Sequence, residues 1–324
     1  MRIRSGEIRR KRIRISICRP KRSKNSTMSF TYVKQTARDG SEYIEITGLQ
    51  SRQSRVSVPD SLEGLLVRSI GSHAFAERSF LRELIVPASV KTLRSFAFYA
   101  CQNLERLSLH DTTDDYYDGV IRQCTGLRQI TIEGSGENFT LMKQMLADVD
   151  MALRFRLLLG GKEIRLTFPE YVSEAREDTM ARAIHFSTWG SGIAYRECVT
   201  KKNIDLSEYD RLLPRLTDYD FASAAEISLD RLMFPEGLAA AAEKQYRDFV
   251  KERSERILKL LIGQEDVQAV SFLSAEGLIG KEALEPSLSL ASQKGESEIC
   301  AVLMEEQKKY GSGGTVLTLG DFDF

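Results

Sequence analysis

Apolar positions recur along this chain at a fixed step of 23 residues between Ala74 and Ile132. Ala74 and Phe75 return as Ala97 and Phe98. Leu81, Leu84 and Val86 return as Leu104, Leu107 and Leu109, and again as Leu127, Ile130 and Ile132. Within one step, Leu84 and Val86 alternate with Glu83 and Ile85, a period of two that predicts a short strand with every second side chain inside. The Ala-Phe pair is expected to fill the opposite wall of the same turn. One such coil buries about six apolar side chains at ~1.5–3 kcal/mol each, while ordering its backbone costs ~1–2 kcal/mol per residue. A lone coil is therefore unstable, and the pattern predicts a stack of coils closed at both ends by other parts of the chain.

The flanks change period. Phe30 to Ile46 reads as two strands joined through Asp39-Gly40, a hairpin signal that would cap the first coil. Val58-Pro59-Asp60-Ser61-Leu62 repeats the pattern of Val86 to Val90, but 15 positions separate Pro59 from Ala74, against 10 between Pro87 and Ala97. A bulge at Glu63 to Leu66 is expected. After Gly134 the step stops, and Leu141, Met145, Leu146 and Val149 fall on one helical face. Ile164 to Pro169 suggests a short strand and Glu174 to Phe186 a helix, while Thr188 to Cys198 fits neither period. From Ala222 the chain reads as helical. Ile227, Leu229, Leu232 and Met233 end at Pro235, a long helix runs from Leu238 to Ile262, and helix pairs closed by left-handed glycines at Gly263 and Gly295 follow.

A period of about 20 to 29 residues with an L-x-x-L-x-L core marks a leucine-rich solenoid. The phrases Ile70-Gly71-Ser72-His73-Ala74-Phe75, Val86-Pro87-Ala88-Ser89-Val90 and Ala97-Phe98-Tyr99-Ala100-Cys101-Gln102-Asn103-Leu104 resemble the bacterial BspA-like (Treponema-type) leucine-rich repeats over roughly Ile44 to Ile132. Arg78 departs from that pattern at the cysteine position, and the third coil has Val120-Ile121 for Ala-Phe and His110 for the proline, where looser packing is expected. The resemblance implies a binding or adhesion module rather than an enzyme. Leu288 to Glu305 is similar to an ankyrin repeat and is echoed 32 residues earlier from Gly263, so the similarity covers Gly263 to Tyr310. Pro286 is one place early, Ser289 replaces the motif histidine, and the hairpin loop is missing. The fold expected is thus α+β: a short leucine-rich β-solenoid followed by an all-α, ankyrin-like domain. The divisions expected are 1–29 (basic, disordered or a mis-assigned start), 30–135 (repeats with hairpin cap), 136–221 (connecting), 222–310 (helical) and 311–324 (flexible tail, with an edge strand at Val316 to Leu319 as the alternative).

The zero net charge hides two unlike parts. Residues 1–27 carry 11 Lys or Arg against Glu7 alone, leaving 35 basic and 45 acidic residues in 28–324. Arg14 and Ser16 interrupt the isoleucines of that basic segment, so no secretory core is expected there. It reads as an upstream extension of a protein starting at Met28, as a disordered arm for nucleic acid or anionic membrane, or as a targeting peptide. No run of 18 apolar residues suggests a membrane span. Cys18, Cys101, Cys124, Cys198 and Cys300 are odd in number and form no C-x-x-C, which favours a reducing cytoplasm. Cys101 and Cys124 occupy equivalent places in successive coils, where a small buried hydrophobe suffices; a stacked disulfide or metal pair is the alternative.

Candidate chemistry is sparse. Asp114 to Gly119 fails the calcium-loop pattern at Tyr116 and Thr125. Tyr116 takes the place of Leu93 and is expected inside, with the aspartates solvated. Gly160-Gly161-Lys162 is followed by Glu163 and lacks the first phosphate-loop glycine at Arg156; Gly190 and Gly192 lack a third glycine at Tyr195. His185, Glu197 and Cys198, beside Trp189, would support nucleophilic catalysis only if they met in space; the other reading is a glycine-rich turn pinned by aromatic packing. His73 and His110 are accounted for by the repeat. No catalytic residue, cofactor or metal is assigned. Stacking at one period lines up Arg82, Glu105 and Arg128 in one column and Glu83, Arg106 and Gln129 in the next, with Ile85, Ser108 and Thr131 between them on the concave face. Opposite charges then meet vertically and the columns neutralise themselves. That face is the expected interaction surface; the alternative is a solvated rail that fixes register. The reading is a cytoplasmic bacterial protein-interaction scaffold with a protein partner. An enzyme sited around 174–198 is the alternative, and a nucleic-acid partner is expected only if residues 1–27 are real.

Overall fold

The strand pattern generates a parallel stack. The computed structural model describes residues 16–17, 30–178, 183–216 and 219–311, and the expectations for the basic segment and the tail fall on residues lying almost wholly outside them. The chain divides into two compact units, 1–163 with 168–205, and 164–167 with 206–324.

In the first unit, Ser16–Ile17 (β1) and Phe30–Thr36 (β2) pair antiparallel, as do β2 and Glu42–Leu49 (β3). Gly40, at φ 83°, makes the turn that Asp39-Gly40 foretold, and the Asp39 carboxylate accepts from the Ser41 amide and hydroxyl. Coils then alternate between two sheets. Arg55–Ser57 (β4), Glu83–Ile85 (β7), Arg106–His110 (β9), Gln129–Gly134 (β11) and Leu153–Leu159 (β12) stack in parallel in one sheet. Leu65–Ile70 (β6), Thr92–Leu93 (β8) and Asp115–Tyr116 (β10) continue the other from β3. The expected bulge is a small hairpin: Ser61–Leu62 (β5) pairs back on β6 through Glu63 and Gly64, both at positive φ.

The 23-residue register holds between β7, β9 and β11. Leu84, Leu107 and Ile130 are fully buried, as are Phe75, Phe98, Val120 and Ile121, so the third coil is not looser. The rings of Phe30, Phe75 and Phe98 form an edge-to-face series at centroid separations of 6.4 and 5.9 Å. Two left-handed corners per coil also repeat at this step: His73, Phe96 and Gly119, then Glu77, Ala100 and Gln123, with φ between 55° and 73°. Glycine is needed only at 119, where a Cβ would lie 2.3 Å from the Phe96 ring.

The solenoid does not stop at Gly134. Ile130 pairs with Phe155, so one more coil follows at a step of 25, its opposite wall built by the helix Thr140–Asp148 (α1), which buries Leu141, Met142, Met145 and Leu146. Lys162–Phe168 (β13) lies next to β12 across Gly160-Gly161, both at positive φ. The expected helix at 174–186 is instead a hairpin of Val172–Asp178 (β14) and Ala183–Trp189 (β15). Helix-forming Ala, Arg and Glu suggested otherwise, but Ile184, Phe186, Thr188 and Trp189 are strand formers, and pairing overrides weak propensity. Gly192–Glu197 (α2) closes the unit.

The second unit is helical: Leu206–Arg211 (α3), a 3₁₀ turn at Leu213–Arg215, Phe221–Met233 (α4), Ala240–Glu252 (α5), Ser254–Gln264 (α6), Val267–Ala275 (α7), Lys281–Lys294 (α8) and Ser297–Gly311 (α9). The single helix expected over 238–262 breaks at Arg253, where φ is −115°. There the buried Ser254 hydroxyl accepts from the Gly280 amide at 3.1 Å, tying the start of α6 to the start of α8. Gly263 stays inside α6. The left-handed cap falls on Glu265 and recurs at Gly295, so the spacing is 30 residues rather than 32. Helices α6 and α7 pack together, as do α8 and α9, and α6 meets α8 while α7 meets α9.

Candidate interaction surface

Strands β4, β7, β9 and β11 bring the predicted columns together. Backbone pairing aligns Arg55, Glu83, Arg106 and Gln129 in one row and Ser57, Ile85, Ser108 and Thr131 in the next. Arg82, Glu105 and Arg128 form the third row, through amides donating to Arg82 and Glu105 carbonyls at 2.8 and 2.9 Å. Glu83 accepts from Arg55 at 3.3 Å and from Arg106 at 3.1 Å. Glu105 pairs with Arg82 and lies 4.0 Å from Arg106. Two expectations need correcting here. Thr131 is buried, with 9% exposure, because its hydroxyl accepts from Gln129 and its neighbour on β12 is the longer Arg156, held by Glu163 at 2.9 Å. The rows are also not self-neutral: with Arg55 included, they hold four arginines against two glutamates.

The second stretch of interest is organised by Arg196, which sequence reasoning passed over. Its guanidinium is buried and donates to the carbonyls of Leu146 (3.2 Å), Gly192 (3.1 Å), Asp150 (3.3 Å) and Met151 (2.7 Å), and to that of Pro169. It also lies over the Tyr171 ring at 4.8 Å. Burial lowers its pKa to about 10, partly offset by Tyr171 and Asp150. Gly192 is required, since a Cβ would come within 2.3 Å of the Pro169 carbonyl oxygen. Around this hub Glu197 is exposed and Cys198 is buried, and the His185 side chain lies outside the described residues. Tyr195 is buried, but Trp189 is 48% exposed and does not pin the turn.

Other buried polar groups brace the scaffold. The Asp148 carboxylate, at the end of α1, accepts from the Tyr116 hydroxyl at 2.7 Å and the Gly119 amide at 3.0 Å. Burial and that carboxylate hold the Tyr116 pKa well above its ordinary value. Asp111 accepts from the Ser135 amide and hydroxyl at 2.7 and 3.0 Å. Cys101 and Cys124 are free thiols that donate to the carbonyls of Phe75 and Phe98, at 2.9 and 3.2 Å, in each case one coil back. Burial pushes their pKa values up to about 11 and about 12. Among the described residues, no group of three or more His, Cys, Asp or Glu is arranged to hold a metal, and no helix is long and apolar enough to cross a membrane.

Residues 52–146 match the model of the BspA type leucine rich repeat region, in six copies. These residues are similar to that repeat family. Among solved structures, a leucine rich cell surface protein from Faecalibacterium prausnitzii is 22% identical, with a TM-score of 0.26, over 35% of this chain and 34% of that one; this chain thus spans about a third of that protein's length. A leucine-rich repeat protein from Bacteroides capillosus is 17% identical, TM-score 0.25, over 32% of this chain and 94% of that one. The Treponema pallidum leucine rich repeat protein is 16% identical, TM-score 0.22, over 31% and 68%. No curated protein matches the chain.

Proposed function

We propose that the chain is a non-catalytic protein-interaction scaffold whose binding face is the outer surface of β4, β7, β9 and β11. The observation carrying this reading is the set of aligned rows, in which ion-paired arginines and glutamates run alongside a lane holding Ile85 and Ser108. Paired charges fix the side chains in place before a partner arrives, which lowers the ordering cost of binding. Ile85, half-buried beside them, offers an apolar anchor of the sort that interface centres use. The module reads as a second surface as well: the helix pairs α6–α7 and α8–α9, repeating at 30 residues, support an ankyrin-like array. The step shorter than the 33 residues of that repeat is a departure that the array accommodates without a hairpin loop. A photo-crosslinking residue placed at Ser108 should trap a protein partner in cells of the native organism, whereas one at the buried Thr131 should not. Equal trapping from both positions, or from neither, counts against the face.

A further inference from the structure

Charge on this face is unequally shared, and the imbalance specifies a partner. The two rails contain Arg55, Arg82, Arg106 and Arg128 against Glu83 and Glu105. Both carboxylates are already divided among three arginines. Arg128 is exposed and makes no ion pair among the described residues, and the Arg55 side chain is 70% exposed. A local surplus of positive charge thus sits on a chain whose residues 28–324 hold 35 basic and 45 acidic side chains. Beside the Glu83 row, on the side away from Arg82, runs the lane with Ile85 and Ser108.

We propose, resting on the protein-binding reading of this face, that the partner presents an acidic, extended segment laid across the strands, its carboxylates meeting Arg55 and Arg128 and an apolar side chain seated on Ile85. An extended chain sends alternate side chains to opposite faces, with same-face positions about 6.6–6.8 Å apart, so one face can offer carboxylates and apolar groups in turn. Guanidiniums favour carboxylates in bidentate pairs. A nucleic acid is disfavoured, because Glu83 and Glu105 stand between the arginines and would repel a continuous phosphate backbone.

The test uses the full chain and fluorescence anisotropy with three labelled probes of similar length: a synthetic peptide alternating glutamate and leucine, its lysine–leucine counterpart, and a single-stranded oligothymidine. The glutamate peptide should bind, more weakly as salt rises. Arg128→Glu and Arg55→Glu should each weaken it by roughly tenfold or more, Glu105→Gln should tighten it, and the melting temperature should stay unchanged. If Arg128→Glu lowers the melting temperature, Arg128→Gln replaces it and should weaken binding to a smaller degree. No binding of the glutamate peptide, equal binding of either other probe, or indifference to Arg128→Glu and Arg55→Glu overturns the inference. The two readings part on the natural partner: capture lost in Ile85→Asp but kept in Arg128→Glu rejects the acidic segment alone, whereas capture kept in both rejects the face itself.

Discussion

Phe98 shows how much one position in the repeat carries. Its ring is fully buried and meets Phe75 edge-to-face, while its carbonyl accepts the Cys124 thiol. Phe98→Ala should cost roughly 3–5 kcal/mol, read as a fall in the urea midpoint; a loss below about 1 kcal/mol, typical of surface changes, would contradict the packing described. A different logic governs Arg231 and Asp210 in the helical unit. They form a buried bidentate pair at 2.8 and 3.0 Å, joined by the Tyr246 hydroxyl at 2.8 Å. Burial alone would lower the Arg231 pKa, but Asp210 more than compensates and holds it above the ordinary value. Arg231→Met alone strands a buried carboxylate and should cost about 3–5 kcal/mol, while adding Asp210→Leu should recover much of that. A double variant no more stable than the single one in chemical denaturation would refute the assignment. Such residues escape sequence reading, because Arg, Asp and Glu are ordinarily exposed and nothing local marks Arg196, Asp148 or Arg231 as the exceptions. Phe98, by contrast, announces itself through Phe75 one step earlier.

The coil owes its regularity to ladders that run through several positions at once. Strand pairs, the Phe75 amide on the Ala97 carbonyl at 2.8 Å, and the Cys101 and Cys124 thiols on preceding carbonyls all advance by one period. The thiols give the stack an alkaline sensitivity. Unfolded, they ionise near 9; folded, at about 11 and about 12. A raised folded pKa means stability that is whole below the unfolded value and is lost as pH rises through the folded one. Stability of the repeat unit should therefore fall between about pH 9 and 12, by up to about 1.4 kcal/mol per pH unit for each thiol. The Cys101→Ala, Cys124→Ala double variant should show a shallower fall in its urea midpoint, and identical slopes would exclude the thiols. Strands at Leu84, Leu107 and Ile130 were readable because periodicity and burial coincide there. The next strand, Leu153–Leu159, was not, since α1 lengthens that coil to 25 residues and breaks the count. The left-handed corners at His73, Phe96 and Ala100 were hidden for another reason: neighbouring coils hold non-glycine residues in a conformation that local preference disfavours. In the hairpin at 172–189, helix-forming residues gave the opposite local signal.

For the molecule as a whole, the sequence foretold a solenoid followed by helices, and both units have that character. The candidate face was foretold nearly row by row, because a fixed period makes residues 23 apart neighbours. Two features needed coordinates: the burial of Thr131 by the strand beyond it, and the place of Arg55 in the row with Glu83. The central claim is that this face, through Ile85, binds a protein partner. Its decisive measurement is the dissociation constant of a partner identified by crosslinking, determined by calorimetry for the wild-type chain and for Ile85→Asp, with circular dichroism melts in parallel. An aspartate in the anchor position places a desolvated charge at the centre of the contact, so binding should weaken by about 2 kcal/mol or more while the melt is unchanged. An unaltered dissociation constant in a normally folded Ile85→Asp chain would contradict the account and move the binding surface elsewhere.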